Sequence, residues 1–431
     1  MSEQLIFIAA LIITLGVFTY TVIRLASFFR LTRPLPVKNI DKRIGVMMKV
    51  AIGQTKIFRF PVIGLLHALV FWGFCVILIG SIEMVIDGIT GTEHALKFLG
   101  SVYDIIMASG DIFAVIIAAA IIVFLVRRFF LHVRRFSGIE MTHKSHRDAN
   151  FALTLILLLM LTLLGMNIGY VAGHPGGYEG VYPASKAIVT LFSLSTSDFT
   201  HSLYKINWWA HILTIFFFAN YLPYSKHFHV FMSVPNVFLS RLEPLGKLPN
   251  MDSITEEVRS MLDPETAYAE SPAGEEEQIE RFGVLDIEDI NWKNYLDSLA
   301  CTQCGRCTSV CPANITGKKL SPRKIIMNVR ERMNEKGPGL VKNGKEYTDN
   351  KSLIRDYITE EELWACTTCN ACAQECPINI NHPTLIVEMR RYLVMEEAAA
   401  PGELNAIFTN IENNGAPWQF SPEDRLLWTE K

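Results

Sequence analysis

The sequence predicts a mainly α-helical protein in two unlike parts, a membrane bundle of five helices followed by a helical soluble module. Three observations carry this. Half of the 431 residues are apolar, too many for an ordinary soluble chain of this length. Uncharged runs of spanning length crowd the first 225 residues. The charge balance then reverses. From Pro249 onward there are 31 acidic and 19 basic residues, a net of −12, whereas the preceding part has 12 acidic and 21 basic, a net of +9.

The runs Leu5–Ile23, Phe60–Ile82, Phe151–Val171 and Ile206–Ser225 contain no Asp, Glu, Lys or Arg. A fifth, Ile112–Val126, reaches spanning length once Ile105–Gly110 is added, with Asp111 near one end. Each is close to the roughly 20 residues a helix needs to cross the hydrocarbon core. Buried helices of a large soluble core would not give five such runs in succession. The segment between the first two runs carries Arg30, Arg33, Lys38, Lys42, Arg43, Lys49, Lys56 and Arg59, and the segment after the third carries Arg127, Arg128, Arg134, Arg135, Lys144 and Arg147. The other connections hold only Lys97, Lys186 and Lys205. The positive-inside rule then puts the N-terminus outside and everything after Ser225 in the cytoplasm of a bacterial cell, the chain sitting in the inner membrane. The first run reads as a retained span, since Met1–Gln4 is acidic and Arg24 and Arg30 follow it.

The expected organisation is a membrane domain over 1–248, an acidic linker over 249–290 with its most solvated part at Asp263–Glu280, a soluble module over 291–400, and a tail over 401–431 expected to dock a partner.

Eight of nine cysteines form two copies of one pattern, CTQCGRCTSVCPANI at Cys301, Cys304, Cys307 and Cys311, and CTTCNACAQECPINI at Cys366, Cys369, Cys372 and Cys376. C-x₂-C-x₂-C-x₃-C-P is the spacing that wraps a [4Fe–4S] cluster, and in two-cluster proteins the fourth cysteine ligates the other cluster. The expected sets are therefore Cys301, Cys304, Cys307 and Cys376 for one cluster, and Cys366, Cys369, Cys372 and Cys311 for the other. Disulfides conflict with a cytoplasmic module, and zinc sites show separated C-x₂-C pairs. Cys75 is expected to be a small buried apolar residue of its span. Ser321-Pro322 and His382-Pro383 each open a helical pattern after a motif, which argues for a helical ferredoxin-like domain.

Three histidines stand out by position. His67 lies near the cytoplasmic end of the second span, and His229 lies at the same depth past the fifth. A bis-histidine haem b between them is the expected reading, against imidazoles that only hydrogen-bond at the interface. His211 is 18 residues before His229, about five helical turns, so on a continuous helix the two share a face at opposite leaflets; Pro223 interrupts that run. His211 has no histidine opposite it, only Ile77 and Leu78, and marks either a second haem or a quinone pocket. His143 and His146 begin the fourth span as solvated or propionate-contacting residues, and His94 and His174 lie in outer loops.

These residues carry a family resemblance. NWWAHILTIFFFANYLPYSKHFHVFMSVPNVFL, with His211 and His229, resembles the cytochrome b gamma subunit of respiratory nitrate reductase, which pairs two histidines on its second helix with two on its fifth. Here the outer partner on the second helix is missing. The cysteine module resembles the iron–sulphur subunits of heterodisulfide reductase and succinate dehydrogenase. The fused arrangement is similar to the N-terminal part of membrane iron–sulphur proteins proposed as electron-transfer flavoprotein:menaquinone oxidoreductases. The resemblance implies a five-transmembrane-helix cytochrome b bundle followed by a helical ferredoxin-like domain with two [4Fe-4S] clusters. It also implies a redox subunit passing electrons from a cytoplasmic flavoprotein such as electron-transfer flavoprotein to the membrane quinone pool. Those relatives continue into cysteine-rich CCG domains. The sequence here closes on GAPWQFSPEDRLLWTEK without them, so a separate CCG-domain iron–sulphur partner is expected. The alternatives are the reverse flow, quinol oxidation feeding a heterodisulfide reductase-type enzyme, and a membrane anchor and assembly subunit. No nucleotide-binding glycine loop, catalytic triad or nucleic-acid-binding pattern is present.

Overall fold

A computed structural model of the chain describes residues 2–131, 133–262, 281–344, 346–419 and 421–430. The protein is mainly helical, and among the described residues only isolated β-bridges occur. Four helices are long and apolar enough to cross a membrane: α1 (Ser2–Phe29), α2 (Pro61–Thr90), α3 (Ser101–Phe129) and α4 (His143–Gly173). The last apolar run of the membrane part lies on α5 (Asp198–Tyr221), which does not meet that measure. The reason is its polar side chains, and each has a place in the bundle. Asn207 lies against Gly165, the His211 ring bonds Thr162 Oγ1 at 3.0 Å, and Asn220 donates to the Thr14 carbonyl at 3.2 Å. Neighbouring helices pack in sequence, α2 on α3, α3 on α4 and α4 on α5, while α1 closes the bundle against α2 and α5.

α5 stops at Tyr221, so His211 and His229 do not share one continuous helix as the 18-residue spacing suggested. Pro223, which has no N–H to donate, sits in a 3₁₀ turn over Leu222–Tyr224, and Ser225 is extended. A second turn (Lys226–Phe228) leads into α6 (His229–Phe238). Asp148 of α4 accepts from the backbone N–H of Lys226 at 3.0 Å and from the Tyr221 hydroxyl, so the break is held by side chains. A second buried carboxylate, Asp111, accepts from the N–H groups of Ala184 and Ser185 at 2.8 and 2.9 Å and from Asn167. It caps the short helix Pro183–Leu191 between α4 and α5, a structural use of a charge inside the bundle. Cys75 lies on the exposed face of α2 rather than in its packed face. The apolar content of the span gave no sign of which face that residue occupies.

The soluble module is built on α7 (Trp292–Ala300), α8 (Pro322–Asn343) and α9 (His382–Arg391). Ser321 caps α8 by accepting from Lys324 N–H, with Pro322 in the first turn, and Asn381 caps α9 by accepting from Thr384 N–H. Ile325, Ile326, Val329 and Met333 of α8 and Leu385, Ile386 and Met389 of α9 are fully buried against each other. That core does not end at the module. Phe28 of α1, Leu222 and Phe228 belong to the same cluster, as do Val284, Ile287 and Ile290, three residues of the stretch grouped with the linker in the sequence. Asp263–Glu280, the most solvated part of that linker, lies outside the described residues. Arg33 N–H donates to the Ile290 carbonyl at 2.8 Å, and the Trp292 N–H returns to the Arg33 carbonyl at 3.1 Å. The module is therefore seated on the end of the bundle from which the basic connections project.

Candidate redox site

The two cysteine loops curl alike around their second cysteine. Gln303 and Gly305 in the first loop have φ of 57° and 75°, and their counterparts Thr368 and Asn370 have φ of 53° and 60°. Left-handed residues on either side of Cys304 and Cys369 curl each loop around its own thiols. Thr368 N–H donates to Cys366 Sγ at 3.4 Å, and Gln303 makes the equivalent backbone bond to Cys301. All nine cysteines are free thiols.

The thiols group across the repeat. Cys376 interacts with Cys304 and Cys301, and Cys307 with Cys304, Cys301 and Cys376, with Cys372 of the other loop as its weakest neighbour. Cys311 instead interacts with Cys366 and Cys369, and Cys372 with Cys366, Cys311 and Cys369. A small cavity is lined by Cys311, Cys366, Cys369 and Cys372, with Pro312 and Pro383 on its walls. Burial, reinforced by the neighbouring sulphurs, pushes the Cys372 thiol up to about 12; burial likewise pushes Cys301 up to about 11. Crowded thiols that are costly to ionise alone suit a polynuclear cation that neutralises them together. Among the described residues no three His, Cys, Asp or Glu side chains converge on a single-ion site. Each four-cysteine set fits a cluster better than a zinc ion.

The two sets differ in surroundings. The Lys56 ammonium donates to the Cys376 carbonyl at 3.1 Å. Arg135 and Arg306 interact with Cys304, and Lys226 and Arg330 with Cys301. Lys226 is itself buried, which lowers its pKa to about 8 against the pull of Asp148; its ammonium donates to Ser145 Oγ at 2.8 Å, and that hydroxyl bonds Gln303 of the first cysteine loop. The second set faces Arg390, which donates to the Cys366 carbonyl, and its Cys369 is exposed.

Arg306 connects the first set to the membrane histidines. It is buried, donates to the Lys56 carbonyl at 2.9 Å, stacks over Phe60 at 4.7 Å, and lies within electrostatic reach of both Cys304 and His67. His67 of α2 in turn faces His229 at the start of α6. The Nδ1 atoms of both rings are buried without a hydrogen bond of ordinary geometry, although the carbonyls of Lys226 and His227 lie near His229. Two buried imidazoles near one another, their Nδ1 atoms without hydrogen bonds of ordinary geometry, are a set that could hold a haem iron. His143 is exposed and His146 half-buried at the start of α4. Arg306 escaped the sequence reading because the variable positions inside a cysteine motif do not reveal what lies across from them.

His211 is placed apart from that pair, at the other end of the bundle. Its Nδ1 is engaged by Thr162, and the residue lines a cavity of about 370 Å³ between α2, α3, α4 and α5. Phe7, Met84, Met166, Tyr170, Trp208 and Trp209 supply apolar and aromatic walls. The volume and lining suit a small organic ligand.

Comparison with known proteins agrees with this geometry. Residues 300–380 match the family model described as a 4Fe-4S dicluster domain. The probable iron-sulfur-binding oxidoreductase FadF of Bacillus subtilis is 30% identical over 91% of this chain and 56% of its own length. The EtfAB:quinone oxidoreductase of Syntrophomonas wolfei is 28% identical over 91% of this chain and 54% of its own. The chain is a relative of iron–sulphur oxidoreductases. One subunit of the ferredoxin/F(420)H(2)-dependent CoB-CoM heterodisulfide reductase of Methanosarcina acetivorans is 34% identical over 25% of this chain and 52% of its own. The likeness to flavoprotein-linked and heterodisulfide reductase iron–sulphur proteins read from the motifs is thereby borne out. The chain spans about half the length of the two longest-matching relatives. No solved structure matches it.

Proposed function

We propose that the chain is a membrane electron-transfer subunit relaying single electrons between a cytoplasmic protein and quinone. Cys301, Cys304, Cys307 and Cys376 would hold one [4Fe–4S] cluster, Cys366, Cys369, Cys372 and Cys311 the other, and His67 with His229 a haem b. When bound, these groups supply one-electron carriers. The protein supplies their spacing and surroundings. The observation that carries the reading is Arg306, a buried residue of the first cysteine loop that donates to the Lys56 carbonyl, lies over Phe60 before α2, and is within electrostatic reach of both Cys304 and His67. It supports a continuous path from the module into the bundle. Exposed Cys369 supports entry at the second set.

In this reading α5 is the fifth crossing, its polar groups turned into the bundle. The basic connections and the module share the cytoplasmic side, with the N-terminus outside. The Syntrophomonas relative is named for EtfAB and quinone. By that likeness the donor is an electron-transfer flavoprotein and the acceptor is (mena)quinone, with His211 hydrogen-bonding a ring oxygen. The likeness to heterodisulfide reductase subunits supports a second reading, quinol oxidation feeding a cytoplasmic reductase.

Purified full-length protein in lipid nanodiscs is expected to show haem b by pyridine haemochrome and two [4Fe–4S] signals by electron paramagnetic resonance. His67→Ala and His229→Ala should each remove the haem spectrum and spare both clusters; haem retained in either variant refutes the axial pair. Potentiometry separates the two directions, since a haem potential far above that of menaquinone would sink the forward flow.

A further inference from the structure

The outer end of the bundle holds groups that this relay leaves unused. The loop after α2 folds back on its helix, with His94 and Ala95 N–H groups donating to Asp87 at 3.1 and 3.0 Å and Leu96 N–H to Glu83 Oε1 at 3.0 Å. These bonds hold His94 at a φ of 58°, a conformation a non-glycine residue keeps only when its surroundings fix it. His94 Nδ1 then meets the Tyr103 hydroxyl at 2.7 Å, and that hydroxyl donates to Glu83 Oε2 at 3.3 Å. Tyr103 and Glu83 are both buried. With the tyrosine proton directed to the carboxylate, the hydroxyl oxygen accepts from Nδ1–H, and His94 Nε2 is left as a bare acceptor. That nitrogen is buried and has no hydrogen-bond partner. His94 lines the same cavity as His211. A buried unsatisfied nitrogen is costly and calls for an explanation.

Charge decides what the cavity can take. Glu83, Asp87, Glu93 and Asp111 line it, whereas among the described lining residues the sole lysine or arginine is Lys205, which pairs with Glu3. A haem, with two propionates, finds no free cation there. A neutral aromatic ring with exchangeable hydroxyls fits the tryptophan and tyrosine walls, with the His94 ring beside it.

We propose that the outer cavity is the quinol site and that His94, held by Tyr103 and Glu83, is the catalytic residue that exchanges the ring-oxygen proton. This rests on the quinone reading above. In the oxidising direction each ring O–H bond breaks and its proton passes to His94 Nε2. The Nδ1 proton moves to the Tyr103 oxygen, the Tyr103 proton to Glu83, and Glu83 releases it to the outer solvent, after which the imidazole and hydroxyl protons return to their starting places before the next transfer. Over two such transfers the ring loses two protons and two electrons, the electrons going to the one-electron carriers proposed above. In the reducing direction the same groups deliver protons to the ring oxygens.

The test uses full-length protein in nanodiscs. An azido-menaquinone photolabel is expected on the segment 83–107, with excess menaquinone suppressing it; label confined to other segments overturns the site. His94→Gln should keep haem content, cluster signals and full reduction by dithionite, while haem reduction by menaquinol slows roughly 100-fold, the scale of a lost general base. Tyr103→Phe should slow it about tenfold, leaving the imidazole unsupported; if His94→Gln fails to fold, this variant and the label carry the test. A wild-type rate in either variant overturns the proposal. So does a fall in His94→Gln from two haems per chain to one, which would make His94 a ligand. Wild-type protein that holds haem yet is not reduced by menaquinol removes the quinone reading itself, before any variant is compared.

Discussion

The two cysteine loops share one motif and sit in different surroundings. Their backbones match around the second cysteine, with left-handed Gln303 and Gly305 against Thr368 and Asn370, and part after the fourth, where Asn379 is left-handed and Asn314 helical. What changed is what each touches. Position 305 is glycine, and an added Cβ would lie 2.3 Å from the Arg135 carbonyl oxygen in the connection between α3 and α4; its counterpart is asparagine. Arg306 stands where the second loop has Ala371. Arg323, three residues into the first following helix pattern, stands where the second has Thr384. Arg323 is buried in an ion pair with Glu140 at 2.6 Å and donates to the Arg135 carbonyl at 2.8 Å. The first copy meets the membrane domain through buried Arg306 and Arg323, the second through backbone carbonyls that accept from Lys56, Arg59 and Asn236, with Cys369 left exposed. Duplicated sequence can thus carry a gradient, because local geometry is copied while environment is not.

The sharpest way to break this comparison is to exchange ligands across it. On the crossed assignment, Cys311→Ser should abolish the cluster of the second loop and spare that of the first, and Cys376→Ser should do the reverse; loss of the same-loop cluster, read by electron paramagnetic resonance and iron content, refutes the crossing. Next in size is the ion pair. Glu140→Ala leaves the Arg323 charge buried and unpaired and should cost about 3–5 kcal/mol, seen as a lower unfolding temperature and faster proteolysis of the module. Thr384→Ala at the equivalent place should change little. Gly305→Asn imports the second loop's residue into the first, where it meets backbone, and a cost of about 1–3 kcal/mol is expected. Asn370→Gly should stay within about 1 kcal/mol. Smallest is electrostatic tuning. Positive charge favours the reduced cluster, so Arg306→Gln should lower the potential of the first cluster by roughly 50 mV, on the scale of one charge at short range in a partly solvated site. Arg390→Gln should lower only the second, and equal shifts in both clusters would mean that the loops do not have separate surroundings.

Much of this was legible in the sequence, for physical reasons. Cysteine spacing encodes a loop directly, so the two motifs and the helices that follow them, with Ser321 as a cap, could be read without coordinates. Pro223 announced a break because a missing N–H is a local fact. The inward faces of the spans were not legible, since an apolar run shows no period when lipid and protein are equally apolar; Cys75 was misplaced for that reason. Nor were Glu140 with Arg323, or Arg306 with His67, legible. Those pairs join residues about 180 and 240 positions apart, and nothing in one sequence couples them. The partners of Asn207, His211 and Asn220 of α5, which lie on other helices, were not legible either.

One continuous apolar cluster joins Phe28 of the first helix to Ile325 and Leu385 of the module. The consequence concerns assembly more than chemistry. The module depends for part of its own interior on side chains contributed by the bundle, so it is not cargo on a tether. Pieces made by cutting the peptide chain between Leu262 and Arg281 keep the described seam residues Phe28, Leu222, Phe228, Ile325 and Leu385 on both sides, and such pieces should co-purify. The module expressed by itself would expose the seam where Phe28, Leu222 and Phe228 belong. In topological terms the seam joins the two parts as an interior surface, not only as a peptide connection.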